Sequence, residues 1–73
     1  MMFAVSLRQA DRIRSYSVSH DGGGWEIKTE EDRRLTNHRW CRDWHRVERV
    51  LDQFRREVAD LIAQGWELQS TNR

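Results

Sequence analysis

Apolar residues recur at alternating steps of four and three along the second half of the chain, at Trp40, Trp44, Val47, Leu51, Phe54, Val58 and Leu61. That rhythm sets seven side chains on one side of a helix. Asp43 is placed to cap it, accepting from the free amides of the first turn while its charge complements the helix N-terminus. The helix is expected from about Trp44 to Gln64, roughly 30 Å long at the usual rise per residue. Gly65 then supplies a left-handed closing residue, and Trp66 falls where it can fold back onto Leu61 or Ile62.

The first half alternates instead. Phe3, Val5 and Leu7 share one parity, which predicts a short strand, and Arg8 to Arg12 reads as a polar turn. Across Ile13 to His20, Tyr16 and Val18 lie on one face and Ser15, Ser17 and Ser19 on the other, as in a second strand. Asp21 to Gly24 forms a glycine-rich turn. Trp25, Ile27 and Thr29 alternate with Glu26, Lys28 and Glu30 as its return strand, with a further turn at Glu30 to Asp32. Arg33 to Trp40 is assigned to another hairpin strand, although Leu35 and Trp40 fall on opposite parities. Trp66 and Leu68 predict a last short strand, followed by a frayed Ser70 to Arg73.

The elements add up to one α+β domain over residues 1–73. Its expected form is a small antiparallel β-meander of three to five strands, packed on one long C-terminal amphipathic helix that a short strand follows. One helix covers one face of such a sheet. Ser15, Ser17, Ser19, Glu26, Lys28 and Glu30 make the uncovered face polar, which favours solvent or a wet interface there.

At 73 residues the chain sits near the lower limit for a self-sufficient core, so a second copy is a natural partner. Four tryptophans nonetheless supply large burial units. Cys41 is the only cysteine, which excludes an intrachain disulfide. The apolar run from Met1 to Val5 is too short for a signal or membrane segment, and a soluble cytoplasmic protein without a membrane partner is expected.

Net charge is only +1, but it is unevenly laid out. Asp21, Glu26, Glu30, Glu31 and Asp32 face a single Lys28 in one stretch, whereas Arg33 to Arg56 carries eight arginines against Asp43, Glu48 and Asp52. Arg42, Arg46, Arg49, Gln53 and Arg56 step by four and three as a second ridge beside the apolar stripe, and Arg39 extends it. Such a ridge suits a protein partner, a homodimer contact or a phosphate backbone. A solvated helix face, with Asp43 and Asp52 neutralising part of it, is the plainer explanation.

His38, Cys41 and His45 have the residue types of a zinc site at the spacing H-x2-C-x3-H, without the paired cysteine knuckle of common structural sites. Cys41 with His45 also has the types of a thiol nucleophile and its base, but no third orienting group is free if Asp43 caps the helix. A buried thiol and surface histidines explain both patterns, so no metal, cofactor or catalytic role is expected. Gly22 to Gly24 lacks the lysine and hydroxyl of a phosphate-binding loop and leads into a strand, which fits a hairpin turn. Tyr16 and Trp25, opposite in parity to the serines and acids, are expected in the core rather than as base-stacking platforms.

The order Tyr16-Ser17-Val18-Ser19, then Gly23-Gly24-Trp25-Glu26-Ile27, then a helix ending in Gly65-Trp66, resembles the layout of bacterial WGR domains from Arg14 to Trp66. The resemblance implies a small sheet-plus-helix module associated with DNA binding. The Trp-Gly-Arg signature is absent, so no DNA-contacting position is carried over. Gly65-Trp66-Glu67-Leu68 is also similar to the helix-to-strand ending of small bacterial proteins of unassigned activity. The expected function is that of a small non-catalytic binding or regulatory protein acting through protein contact or self-association. Its expected surface comprises Arg39, Arg42, Arg46, Arg49 and Arg56, and nucleic-acid binding by the same arginines is the alternative.

Overall fold

The alternation of the first forty residues produces four consecutive antiparallel strands in the computed structural model, which describes residues 3–69. They are β1 (Phe3–Gln9), β2 (Arg12–Asp21), β3 (Gly24–Glu31) and β4 (Arg34–Cys41), followed by α1 (Trp44–Ala63) and β5 (Glu67–Gln69). β5 returns beside β1, giving the sheet order β4-β3-β2-β1-β5. The α+β architecture, the helix and the closing strand are as the periodicities require; the tail from Ser70 onward lies outside the described residues.

Register decides which residues form the core. Phe3 pairs with Val18, Val5 with Tyr16, and Val18 in turn with Ile27. Directly opposed residues share a face, so these side chains and Leu7 form one apolar surface. Val47, Val50, Leu51, Phe54 and Leu61 of α1 close over it. Leu7, Val18 and Val47 are fully buried, each worth about 1.5–3 kcal/mol of transfer free energy. Phe54 meets Tyr16 at a ring separation of 5.0 Å and Phe3 at 6.1 Å, tying the middle of the helix to β2 and β1.

Both ends of α1 are closed by local chemistry. The Asp43 carboxylate accepts from the His45 amide at 3.0 Å. At the other end Gly65 adopts φ 101°. Its amide donates to the Ile62 carbonyl and that of Trp66 to the Leu61 carbonyl, each at 3.0 Å. This pair of bonds is the Schellman ending, sealed by burial of Leu61 and Trp66 together.

Three details correct the sequence expectation. Trp40 is not part of the helical stripe; it belongs to β4, and Val50 completes the buried helical surface in its place. The turn after β3 is Asp32–Arg33 rather than Glu30–Asp32, with φ of 52° and 68° at its two residues. Finally, Leu35 and Trp40 do share a face. Thr29 pairs with Asn37 but Glu30 with Leu35, leaving Thr36 as an extra residue in a β-bulge that reverses the parity between them. The Thr36 hydroxyl donates to the Thr29 carbonyl at 3.1 Å and fixes the bulge.

Candidate binding groove beside the fourth strand

β4 differs from the other long strands because none of its residues is fully buried. Arg34 to Trp40 are exposed and Cys41 is half-buried against the core. The helix therefore leaves an open groove along this edge of the sheet, lined by Arg39, Trp40, Cys41, Arg46, Arg49, Val50 and Gln53, with a volume of about 550 Å³. Arg39 comes from the helix-facing side of β4, opposite Ile27. Arg46, Arg49 and Gln53 come from the flank of α1 beside its buried stripe.

Three of the five arginines singled out from the sequence thus meet in one place. Arg42 and Arg56 do not line it. Arg42 precedes the helix and stacks its guanidinium over the Trp40 ring at 5.6 Å; Arg56 stands further along α1. The carboxylates expected to neutralise the ridge are engaged elsewhere, Asp43 in capping and Asp52 with Arg55 at 3.6 Å. Among the described residues, no carboxylate lies within ion-pair distance of Arg39, Arg46 or Arg49. By contrast Arg12 and Arg14 at the other end of the sheet share Glu31, at 3.1 and 3.0 Å, and both stack on Trp66. Three guanidinium groups without an ion pair among the described residues thus line the β4–α1 groove.

The indoles near this groove, Trp40 and Trp44, are each engaged by a neighbour and still exposed to 46% and 39%. Trp40 sits on the outer face of the sheet, 46% exposed, with its Nε1 donating to the Asp21 carbonyl at 3.3 Å and its ring between Gly24 and Arg42. Trp44 packs on Trp25 at 5.2 Å, and Trp25 in turn on His20 at 5.5 Å. Tyr16 is buried, with its hydroxyl donating to Glu57 at 3.2 Å. Burial first, and the Glu57 charge second, push its ionisation above that of an ordinary phenol.

The structure does not bring His38, Cys41 and His45 together. Three residues apart on a regular stretch of strand, His38 and Cys41 point to opposite faces. His38 bonds Glu26 on the outer face at 2.9 Å, and His45 is exposed beside Glu48 at 3.6 Å. Among the described residues, no group of three or more His, Cys, Asp or Glu side chains is disposed to hold a metal ion. The His38 hydrogen bond, followed by the Lys28 charge, holds the Glu26 carboxyl below the usual range. The glycine run makes a turn, with Gly22 at φ 62°, and no helix follows it.

Trp40, Cys41 and Val50 are the groove residues that the ridge read from the sequence did not include. Gln53 stood in that ridge as its one uncharged member, and the groove itself depends on the pairing of β4 with β3, which sets the face to which Arg39 points. No helix among the described residues is long and apolar enough to cross a membrane. No protein-family model, curated protein or solved structure matches the chain.

Proposed function

We propose that this chain is a small non-catalytic binding protein whose working surface is the β4–α1 groove, and that its partner is an acidic protein segment. The observation that carries the reading is the convergence of Arg39, Arg46 and Arg49 without carboxylates of their own. Guanidinium groups remain charged at physiological pH and present planar forks to carboxylates, which suits recognition and not proton transfer. Cys41 is the one nucleophile at the groove, and the histidines on either side of it in sequence, His38 and His45, are turned to Glu26 and Glu48 and lie outside the lining.

Nucleic acid is the second reading, favoured by the same unpaired guanidinium groups. Trp40 and Trp44 are each contacted on the ring, by Arg42 and by Trp25 respectively, so stacking of unpaired bases would have to use their exposed remainder. Self-association through β4 is disfavoured. The strand carries Arg34, His38 and Arg39 and no acid, so two antiparallel copies would set like charges side by side.

The test is binding of fluorescent polyglutamate, single-stranded DNA and duplex DNA over a salt series, for the wild type and for Arg46→Ala/Arg49→Ala. Polyglutamate binding that the double substitution weakens tenfold or more supports the proposal. Binding of DNA alone, with a steep salt slope, replaces it by the second reading. Absence of binding to all three at low salt removes both. Sedimentation of the free protein at several concentrations reads self-association in the same samples.

A further inference from the structure

The edge of a sheet presents main-chain donors and acceptors as well as side chains, and β4 is an edge with a basic groove beside it. We propose, building on the acidic-partner reading, that Asn37–Cys41 accepts an extended acidic peptide as a sixth strand. Its carboxylates at alternate positions would face Arg39, Arg46 and Arg49, and its intervening side chains would face Trp40.

Four observations converge on this geometry. β4 pairs with β3 on one side only, and its residues up to Trp40 are exposed. The bulge at Thr36 interrupts the register near the start of the strand, but Asn37 to Cys41 pairs regularly with Trp25 to Thr29, so this half is a straight template for a neighbour. Arg39, Trp40 and Cys41 of that same half line the groove, whose opposite wall is Arg46, Arg49, Val50 and Gln53. A strand laid against Asn37–Cys41 runs over that wall.

Side chains on an added strand alternate between the two faces of the sheet. Those on the helix side enter the field of three guanidinium groups, with Val50 and Gln53 as the remaining surface. Those on the other side fall beside Trp40 and His38. The recognition pattern is therefore a two-residue repeat, acidic on one face and aromatic or β-branched on the other. The charges on β4 that oppose self-pairing favour this occupant.

The experiment uses the full chain labelled with 15N and ten-residue peptides carrying Glu at every second position, with Thr, Val or Tyr between. Two methylated forms of each peptide are compared, with N-methyl groups on the Glu residues or on the intervening residues. In strand addition one set of amides bonds to β4 and the other points away. One methylated form is expected to lose at least tenfold in affinity and the other little, and the unmethylated peptide is expected to slow amide exchange within Asn37–Cys41.

Equal binding of both methylated forms with unchanged β4 exchange, while Arg46→Ala/Arg49→Ala still weakens binding, overturns strand addition and leaves the acidic-partner reading standing. Failure of every peptide and of polyglutamate to bind at low salt overturns both. Displacement of bound peptide by single-stranded DNA of equal charge at a lower concentration assigns the edge to nucleic acid and overturns the peptide as occupant.

Discussion

Gly24 and Trp40 meet where the second hairpin passes the outer strand. A β-carbon built on Gly24 would stand 2.7 Å from the indole and 2.5 Å from the Cys41 carbonyl oxygen. Trp40 is thereby held flat against the start of β3, and the strand end that lines the groove is held with it. The obstructing oxygen belongs to backbone, so rotation of a side chain cannot relieve the contact. Gly24→Ala is expected to cost about 1–3 kcal/mol, the usual range for overpacking. Gly23→Ala, with nothing within 4 Å, is expected to be neutral or slightly stabilising. Urea unfolding midpoints of the two variants, read by tryptophan fluorescence, check the difference; equal midpoints would show that β4 moves freely away from Gly24.

The helix depends on its ends in a similarly local way. Asp43→Ala removes the acceptor of the His45 amide and is expected to destabilise by about 0.5–2 kcal/mol. Gly65→Ala forces a β-carbon into the left-handed region at φ 101° and is expected to cost roughly 1–2 kcal/mol. Thermal unfolding followed by helical circular dichroism tests both. If Gly65→Ala left the transition unchanged, the Schellman ending would not be a source of stability here.

These two ends also show why the helix was legible in the sequence while the groove was not. Asp43, the apolar stripe and Gly65 each act on residues within about a turn of themselves, so their spacing predicted a helix from about Trp44 to Gln64, and α1 spans Trp44–Ala63 with Gln64 as its C-cap. β2 and β3 were equally readable because Tyr16 and Val18 in the one, and Trp25 and Ile27 in the other, alternate with serines and with charged residues. β4 obeys a different rule. The side to which Trp40 and Arg39 point is set by the bulge at Thr36, which exists only when β3 is alongside. Trp40 therefore fell into rhythm with Trp44 by coincidence of spacing, and Arg42 seemed to continue a helical ridge that begins after it. The arginine ridge was readable as a residue pattern, but the meeting of Arg39 with Arg46 and Arg49 at one groove depends on the parity that the pairing with β3 and its bulge impose on β4.

Tyr16 offers a clean titration because it is the single tyrosine of the chain. Its ionisation is raised above the ordinary phenol value by burial and then by the Glu57 charge. A group whose folded value is raised contributes stability below its unfolded value, near pH 10, and loses it as pH rises through the folded value. Phenolate absorbance is expected to develop at higher pH than in the urea-unfolded chain. Glu57→Gln is expected to move the folded transition part of the way back, leaving the share due to burial. A folded transition at the unfolded position would mean that the hydroxyl is not enclosed by Phe54 and α1.

The Glu26–His38 pair makes the opposite prediction at the acid end. Hydrogen bonding by His38 comes first and the Lys28 charge, with its ammonium 3.5 Å away, comes after it; together they lower the Glu26 carboxyl below its ordinary value. A carboxyl lowered by folding stabilises above its unfolded value and loses that contribution as pH falls through the folded one. The window is therefore below about pH 4.3, where an unperturbed glutamate titrates. The pair is solvent-exposed, so its clearest readout is the side-chain carboxyl chemical shift of Glu26 and not a stability change. His38→Ala is expected to raise the Glu26 midpoint by more than Lys28→Ala does, because the hydrogen bond outweighs the more distant charge. Since His38 lies across from Lys28 on the regular half of β4, the same titration reports on the strand that frames the groove. An unchanged Glu26 midpoint in His38→Ala would show that β4 does not hold this register in solution.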